Sequence, residues 1–272
     1  MNNRKDITNK ENIAIKKHSW IDDMRLDPNN ISYWYPRIKE CGMNVPKTVI
    51  IQLPDEVFIA CFHDKPDDEE KIIDFIHFTV MPEIEGKIKV PFIKNGTFSN
   101  KFDFRTCTPY PDAYSIALAF GQLNYASLFM ETCGSTEISI RERIPYNETL
   151  IPTIYHGMPL RPEFRIFYDF DERKVLGCFN YWDFNYCFKA ISRNATDRIV
   201  YREYYPHIES LYSEKKDQVM EMVSVAMKDV DMKGKWSIDV MYDETEETFW
   251  LIDMAQAHRS AYWELLNKEE QL

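Results

Sequence analysis

The sequence predicts an α+β or mixed α/β fold, and three features support this prediction. Segment 235–256 contains two apolar runs joined by an acidic turn centred near Glu246, which is typical of a hairpin. Segment 205–231 has the apolar spacing of a helix and is the longest stretch of this kind. Further strand and helix patterns precede these two in mixed order, so antiparallel strands and helices are both expected.

The remaining elements follow from local periodicity and turn residues. In order, the sequence predicts a short strand in 43–53, a helix in 67–84, a strand, turn and strand in 87–107, a helix in 111–133, a strand in 137–145 and a hairpin in 163–182 that turns at 171–174. Residues 1–20 are polar and are expected to be mobile. No internal repeat or Gly/Ser linker occurs, so a boundary near residue 135 predicts two lobes of one compact fold, 21–135 and 136–272.

Composition and charge argue against several classes of protein. With 272 residues, 44% of them apolar and only 8 glycines, the chain is expected to be globular. A net charge of -11 disfavours a general nucleic-acid binder, although it is compatible with a local basic cleft. The six cysteines form no CxxC motif, and no signal peptide or membrane span is indicated. We therefore expect a cytoplasmic protein that does not bind membranes.

Two aspartates in the closing hairpin are the most informative residues. Registers that place Asp239 opposite Leu251 or Asp253 bring both carboxylates to one face, because side chains alternate along a strand. Two such anions in a semi-buried place need a proton or a cation between them, and a hard divalent cation suits oxygen ligands. The alternative is a solvated face of an ordinary hairpin. Strict alternation places Phe249 and Leu251 on the face of Asp253, which disfavours that alternative.

Two lysines flank a polar loop. Lys94 ends one predicted strand and Lys101 precedes the next, with several backbone donors between them. Lysines and backbone donors together form cradles for phosphate oxygens. The alternative is a pair of edge-strand lysines that guard against aggregation.

A second polar pair lies in the RPEFRIF segment. Glu163 and Arg165 share one strand face, and Phe164 and Ile166 fill the other. A carboxylate and a guanidinium on one face either bind a polar ligand or satisfy each other. The histidines lack zinc-site spacing, and no GxSxG, GxxxxGK[ST] or GxGxxG motif occurs.

Taken in order, MNVPKT, FIK, IRERIP, PEFRIF and the two acid-bearing strands resemble the ATP-grasp superfamily over residues 42–256. The EFRIF segment, the LID strand and the following AYWELL are similar to its divergent branch of cell-division-cycle assembly chaperones of translation initiation factor two and phage-encoded relatives. The resemblance implies a two-lobed fold that binds ATP and Mg²⁺ between two antiparallel sheets.

The resemblance also implies roles for six residues in nucleotide binding. It assigns Lys94 and Lys101 to the phosphates, the backbone of Glu142, Arg143 and Ile144 to adenine, and Glu163 to the ribose.

The magnesium positions of the family match Asp239 and Asp253, but the third ligand departs from its pattern. The family has acid-x-asparagine, whereas Ala255 stands at the asparagine position here, and Gln256 is the candidate substitute. The phosphate loop also lacks the common glycine richness. Both departures weaken the case for catalysis more than the case for ATP binding.

The activity that the resemblance implies is ligation of a carboxylate to an amine or thiol through an acylphosphate, with Arg165 or Arg259 steadying that intermediate. The partners are then ATP and carboxylate and amine substrates that the sequence does not identify. The alternative is an assembly chaperone that binds a protein client and uses ATP as a conformational element. A third possibility, nucleotidyl transfer, would release pyrophosphate.

Overall fold

A computed structural model describes residues 19–63, 65–130 and 134–269, and its mixture of helices and antiparallel sheets confirms the predicted class. The α-helices are α1 (Trp20–Arg25), α2 (Ile31–Ile38), α3 (Asp55–Ala60), α4 (Pro66–Phe75), α5 (Met81–Ile84), α6 (Ala113–Phe129), α7 (Phe184–Ile191), α8 (Ala195–Met227) and α9 (Trp263–Glu269). A π-helix, Ile76–Val80, joins α4 to α5, and 3₁₀ helices cover Lys101–Cys107 and Ala257–Arg259.

The strands form three antiparallel sheets in the described residues. Their bounds are β1 (Thr48–Gln52), β2 (Pro91–Asn95), β3 (Glu137–Glu142), β4 (Thr153–Ile154), β5 (Met158–Pro159), β6 (Glu163–Asp169), β7 (Lys174–Asn180), β8 (Lys235–Asp243) and β9 (Thr248–Gln256). The first sheet has the order β1-β3-β2, the second has the order β7-β6-β8-β9, and β4 pairs with β5.

One face of the first sheet packs against helices of the N-terminal half. Ile93 of β2 and Ile138 and Ile140 of β3 are buried in a cluster with Ile116 and Phe120 of α6. Alternate residues of each strand therefore point to the opposite face, away from these helices.

One face of the second sheet packs against the long helix α8. Ile166 of β6 and Ile238 of β8 share a core with Val219 and Val223 of α8, and Trp34 of α2 joins them. The other face of this sheet is turned toward the polar face of the first sheet, and a cleft lies between the two.

The long helix starts earlier than its sequence pattern predicts. It begins at Ala195, where the Asn194 side chain accepts hydrogen bonds from the N–H groups of Thr196 and Asp197. Pro206 lies inside this helix, and the predicted start at residue 205 is about three turns too late.

The prediction of a second strand in segment 87–107 is wrong. The Asn95 side chain accepts hydrogen bonds from the N–H groups of Thr97 and Phe98, so the chain turns after β2 and continues into the 3₁₀ helix that starts at Lys101. β2 pairs instead with β3. The asparagine and glycine were a correct turn signal, but the turn does not close a hairpin.

The predicted lobe boundary near residue 135 does not coincide with the sheets. β3 pairs with both β1 and β2, so the chain leaves the first sheet only after Glu142. In addition, Ile31 and Trp34 of α2 pack in the core of the second sheet. The division into lobes therefore stays a prediction.

Only the end of the predicted mobile segment can be compared with the structure, because residues 1–18 lie outside the described residues. Ser19 caps α1, and its hydroxyl accepts a hydrogen bond from the N–H of Ile21. Across the described residues, every helix is too short or too polar to traverse a bilayer.

Candidate functional site

The facing sides of the two sheets line a cleft with an empty volume of about 930 Å³, counting the part open to solvent. Clefts of this size hold cofactors and small ligands. Its charged lining residues are Lys94, Lys101, Arg141, Glu142, Arg143, Arg161, Glu163, Asp239 and Asp253. Eight of the predicted site residues line this cleft, namely Lys94, Lys101, Glu142, Arg143, Ile144, Glu163, Asp239 and Asp253.

The two aspartates lie directly opposite each other across β8 and β9, as one of the predicted registers has it. The next residue of β8 pairs with Leu251, so Ile252 has no counterpart and β9 contains a bulge. Phe249 and Leu251 therefore face the core on the helix side, whereas Asp253 faces the cleft. The prediction that these three residues share a face is wrong, because strict alternation does not hold across the bulge.

Each aspartate is paired with a cation of the protein. Arg165 Nε and Nη2 donate to the two Asp239 oxygens at 2.8 and 2.7 Å. Lys94 Nζ donates to both Asp253 oxygens at 2.8 and 2.9 Å. The sequence analysis assigned neutralisation of the two carboxylates to a metal ion. In the structure, Lys94 of β2 and Arg165 of β6 neutralise them instead.

These contacts set the charge of the groups. Burial raises the pKa of Asp253, but Lys94 and Arg141 outweigh burial and hold it below its usual value. Burial lowers the pKa of Arg165, but Asp239 outweighs it and the net pKa is raised. Asp253 and Arg165 are therefore charged at neutral pH.

Arg141 is a cleft residue to which the resemblance in the sequence assigned no role. It is 4% exposed, and its Nε donates to Thr48 Oγ1 at 3.2 Å while Nη1 donates to the Ile252 carbonyl. Its Nη2 is buried and lacks a partner in the described part of the chain. A buried donor without an acceptor is costly, so this atom is positioned to receive a ligand oxygen.

Arg161 was also missed. It is 3% exposed, donates from Nη2 to the Ile144 carbonyl at 3.1 Å and leaves Nε buried without a partner among the described residues. A signal existed for Arg141, which alternates with Ile138 and Ile140 in an apolar strand. Arg161 lies between strands, where no local pattern marks it.

Glu163 and Lys101 form the polar centre of the cleft. Burial raises the pKa of Glu163 to about 7, against the opposing charge of Lys101. Burial likewise lowers the pKa of Lys101, against the effect of Glu163. The Lys101 ammonium lies 4.0 Å from the centre of the Tyr181 ring. Within the described residues, neither the Glu163 carboxylate nor the Lys101 ammonium has a hydrogen bond or an ion pair.

The three predicted hinge residues differ in what they can offer a ligand. The Glu142 carboxylate accepts hydrogen bonds from the N–H groups of Lys89 and Val90 at 2.7 and 3.1 Å. The N–H groups of Glu142 and Arg143 donate to backbone carbonyls within the fold. The N–H of Ile144 has no such acceptor in the described chain, and it is the free donor of this segment.

Gln256 does not reach the cleft, which corrects its assignment as a metal ligand. It pairs with Trp236, which packs in the core on the opposite face of the sheet from Asp253. Its side-chain oxygen accepts a hydrogen bond from Asn29 at 3.0 Å. Ala255 precedes Gln256 and pairs with Ser237, so it lies on the opposite face of the sheet from that core.

Arg259 is also outside the cleft. It lies in the 3₁₀ helix after β9, and its Nη1 donates to Asp27 at 2.8 Å. Of the two arginines predicted to steady an acylphosphate, the structure brings only Arg165 to the carboxylates.

The donor set has a limited capacity for metal. Nowhere in the described residues do three or more His, Cys, Asp or Glu side chains form a metal-binding group. Two facing carboxylates nevertheless fit Mg²⁺, which is commonly held by one or two carboxylates and completes its shell with phosphate oxygens and water. Asp239 and Asp253 are the residues that would hold it.

Several solved structures are similar to this chain. Cdc123 from Schizosaccharomyces pombe is 19% identical, with a TM-score of 0.46 over 90% of this chain and 93% of that chain. The biotin carboxylase domain of Hydrogenobacter thermophilus 2-oxoglutarate carboxylase, in complex with MgADP and bicarbonate, is 8% identical, with a TM-score of 0.43 over 84% of this chain and 39% of that chain. D-alanine–D-alanine ligase from Bacillus anthracis, complexed with ATP, is 9% identical, with a TM-score of 0.38 over 84% and 53%.

A further similar structure is a RimK domain ATP-grasp protein from Sphaerobacter thermophilus, 11% identical, with a TM-score of 0.35 over 84% of this chain and 57% of that chain. No protein-family model matches the chain, and no curated protein matches its sequence.

Proposed function

We propose that the cleft binds ATP together with Mg²⁺, as a nucleotide site of ATP-grasp type. The observation that carries this proposal is the concentration of cations in one cleft of an acidic protein. Five cations line it beside the four carboxylates of Glu142, Glu163, Asp239 and Asp253, although the whole chain has a net charge of -11; the cations are Lys94, Lys101, Arg141, Arg143 and Arg161. Cations held in a partly buried cleft attract an anion strongly, because the local dielectric screens them little.

The triphosphate lies at the Lys94 end of the cleft in this proposal. The ammonium of Lys94 donates to Asp253, and Arg141, whose Nη2 has no partner in the described chain, lies close enough to lower the pKa of Asp253. On nucleotide binding, phosphate oxygens become acceptors for Lys94 and Arg141, and Asp253 is released from Lys94. Mg²⁺ bound by Asp239 and Asp253 supplies charge neutralisation of the phosphates.

Adenine and ribose lie at the opposite end. The free N–H of Ile144 donates to a ring nitrogen of adenine, and the apolar side chains of Met158 and Met241 line the same cleft. Glu163 accepts hydrogen bonds from the ribose hydroxyls, since its carboxylate has no partner of its own within the described chain. This division of the cleft follows the roles that the sequence resemblance implied.

The reaction that fits such a site is ligation through an acylphosphate. A substrate carboxylate oxygen attacks the γ-phosphorus, ADP leaves, and an amine or thiol then attacks the acyl carbon and releases orthophosphate. Lys94 and Arg141 stabilise charge on the transferred phosphoryl group, and Arg165 positions Asp239. Much of the rate enhancement in phosphoryl transfer comes from such positioning and charge stabilisation.

A second function, nucleotide-dependent assembly of a protein client without turnover, is favoured by one specific observation. Gln256 and Arg259 both lie outside the cleft, so the site lacks the third metal-binding side chain and one of the two predicted arginines. Such a site retains the groups that bind ATP and loses groups that a ligase uses.

Two measurements test these proposals. Calorimetry of the purified protein is expected to show one Mg·ATP site per chain whose affinity falls when Mg²⁺ is chelated, and the absence of ATP binding would refute the nucleotide site. Orthophosphate and pyrophosphate release is then measured over a panel of carboxylates and amines. Orthophosphate release that needs both substrates supports the ligase. Tight binding without release supports the assembly function, and pyrophosphate release indicates nucleotidyl transfer.

A further inference from the structure

A second pocket lies at the β7 edge of the second sheet, between β7, α7, α8 and α9. Its empty volume is about 810 Å³, counting the part open to solvent. It shares no lining residue with the nucleotide cleft. The function proposed above assigns no role to its residues.

Aromatic rings form much of its wall. Tyr262 stacks on Phe179 with ring centres 5.3 Å apart, and the Tyr186 ring lies 4.6 Å from Tyr262. Tyr212 lines the pocket as well, and its hydroxyl donates to the Cys178 carbonyl at 2.8 Å. With that hydroxyl engaged, Tyr212 contributes its ring more than its polar end.

The Tyr262 backbone is unusual. Its φ is 74°, a left-handed conformation that bulky residues rarely adopt. The hydroxyl donates to the Tyr181 carbonyl at 3.0 Å, so ring stacking and this hydrogen bond hold Tyr262 in place. Uncommon backbone conformations that the surroundings enforce are concentrated at ligand sites.

Two carboxylates complete the lining, and no Lys, Arg or His contributes to it in the described residues. Asp183 caps α7 by accepting from the N–H of Tyr186 at 3.0 Å. Glu209 accepts from Asn180 Nδ2 at 2.8 Å and from the Tyr205 hydroxyl at 2.7 Å, both at the same oxygen. Within the described chain, neither carboxylate has an ion-pair partner.

The pocket is thus both aromatic and negatively charged. Burial raises the pKa of Tyr212, and the neighbouring carboxylates Glu209 and Asp183 raise it further. Aromatic faces attract cations through the ring quadrupole, and two carboxylates add direct charge attraction. An anionic ligand is excluded by the same charges.

From this combination of rings and unpaired carboxylates, we propose that the pocket lined by Phe179, Asp183, Tyr186, Glu209, Tyr212 and Tyr262 binds an alkylammonium group. The group belongs to a free amine or to a side chain presented by another molecule, and the chemistry of recognition is the same in both cases.

Calorimetry with cations and their neutral counterparts tests the proposal. Choline is compared with 3,3-dimethylbutan-1-ol, which has the same shape without the charge, and butylammonium is compared with 1-butanol. Each cation is expected to bind at least about tenfold more tightly than its neutral counterpart. The choline and butylammonium arms show whether the pocket prefers a quaternary or a primary ammonium. Equal binding of cation and alcohol, or no binding of either cation, would overturn the proposal.

Matched variants locate the site. Asp183→Asn with Glu209→Gln removes both charges while the amide oxygens still accept the existing hydrogen bonds, and it is expected to weaken cation binding at least about tenfold. Glu203→Gln neutralises one carboxylate at an exposed position of the same helix α8 and is expected to leave binding unchanged. If Glu203→Gln weakens binding as much as the pocket variant, the attraction comes from overall charge and the assignment fails.

The aromatic contribution has its own comparison. Tyr186 is 55% exposed, so its replacement is tolerated by the fold. Tyr186→Ala is expected to weaken choline binding several-fold, whereas Tyr186→Phe retains the ring and the affinity. Loss with both variants would mean that the hydroxyl and not the ring makes the contact. Mg·ATP affinity, measured on the same proteins, is expected to stay unchanged, so the pocket and the nucleotide cleft are tested separately.

Discussion

Replacing Lys94 with methionine removes the cation that the structure places between Asp253 and the proposed phosphates. Lys94 Nζ donates to both oxygens of Asp253, and the Lys94 side chain is only 3% exposed. Methionine keeps most of the length of the side chain and removes its charge. Lys94→Met is therefore expected to weaken binding of Mg·ATP while leaving binding of adenosine unchanged, because adenosine has no phosphate.

The magnitude follows from the contacts. A hydrogen bond to a charged group contributes about 1.5–3 kcal/mol, which corresponds to a loss of about 10- to 150-fold in affinity. In the free protein Lys94 already binds Asp253, so part of that energy is spent on breaking this pair when the nucleotide binds. We therefore expect the lower end, a loss of about tenfold.

Stability is measured alongside affinity. Removing one member of a buried ion pair costs about 3–5 kcal/mol, but the Asp253 side chain is 38% exposed and Arg141 remains beside it. Urea unfolding is expected to show a loss of only about 1–2 kcal/mol. Calorimetry is done with Mg·ATP and with adenosine, and Lys228→Met, an exposed position at the end of α8, is the control. Equal losses for both ligands would show that Lys94 is structural, and the phosphate assignment would be refuted.

Three further predictions concern the carboxylates and the strand end beside them. The pKa of Glu163 is raised from 4.5 to about 7, so between these pH values the folded state binds more protons than the unfolded chain. The free energy of unfolding is therefore expected to fall by up to about 3 kcal/mol from pH 4.5 to 7.5, relative to the Glu163→Gln variant. If the free energy of unfolding, measured in urea, changes equally with pH in the two proteins, this prediction is wrong. Asp239→Asn combined with Asp253→Asn is expected to abolish the dependence of ATP affinity on Mg²⁺ in calorimetry, and unchanged Mg·ATP affinity would remove both residues from the metal site. Ala255→Asn is expected to increase the dependence of ATP affinity on Mg²⁺, whereas Gln256→Ala is expected to leave that dependence unchanged. The reverse result would mean that Gln256 turns toward the cleft when nucleotide binds.

The order of strands and helices could be predicted from the sequence wherever one face of an element is apolar. The closing hairpin followed from a central acidic turn, and the two-residue period limited the partner of Asp239 to Leu251 or Asp253, of which the structure has Asp253. The bulge at Ile252 could not be predicted in this way, because it depends on how two residues of β9 fit against one of β8.

The cleft was predicted less completely than the fold, because its contacts join distant parts of the chain. Arg141 reaches the carbonyl of Ile252, 111 residues away, and Gln256 is held by Asn29, 227 residues away. No local pattern reports such contacts. Lys94 was predicted to be a site residue because it stands at the end of a strand. Its partner Asp253 lies on another sheet, and the sequence analysis assigned Asp253 to a metal ion instead.

The central claim is that ATP binds between the two sheets, and a crystal structure of the protein with Mg²⁺ and a non-hydrolysable ATP analogue tests it most directly. The predicted result places the triphosphate beside Lys94 and Arg141, the metal between Asp239 and Asp253, and adenine at the N–H of Ile144. A nucleotide bound elsewhere, or an empty cleft with Lys94 still paired to Asp253 at saturating nucleotide, would contradict the account.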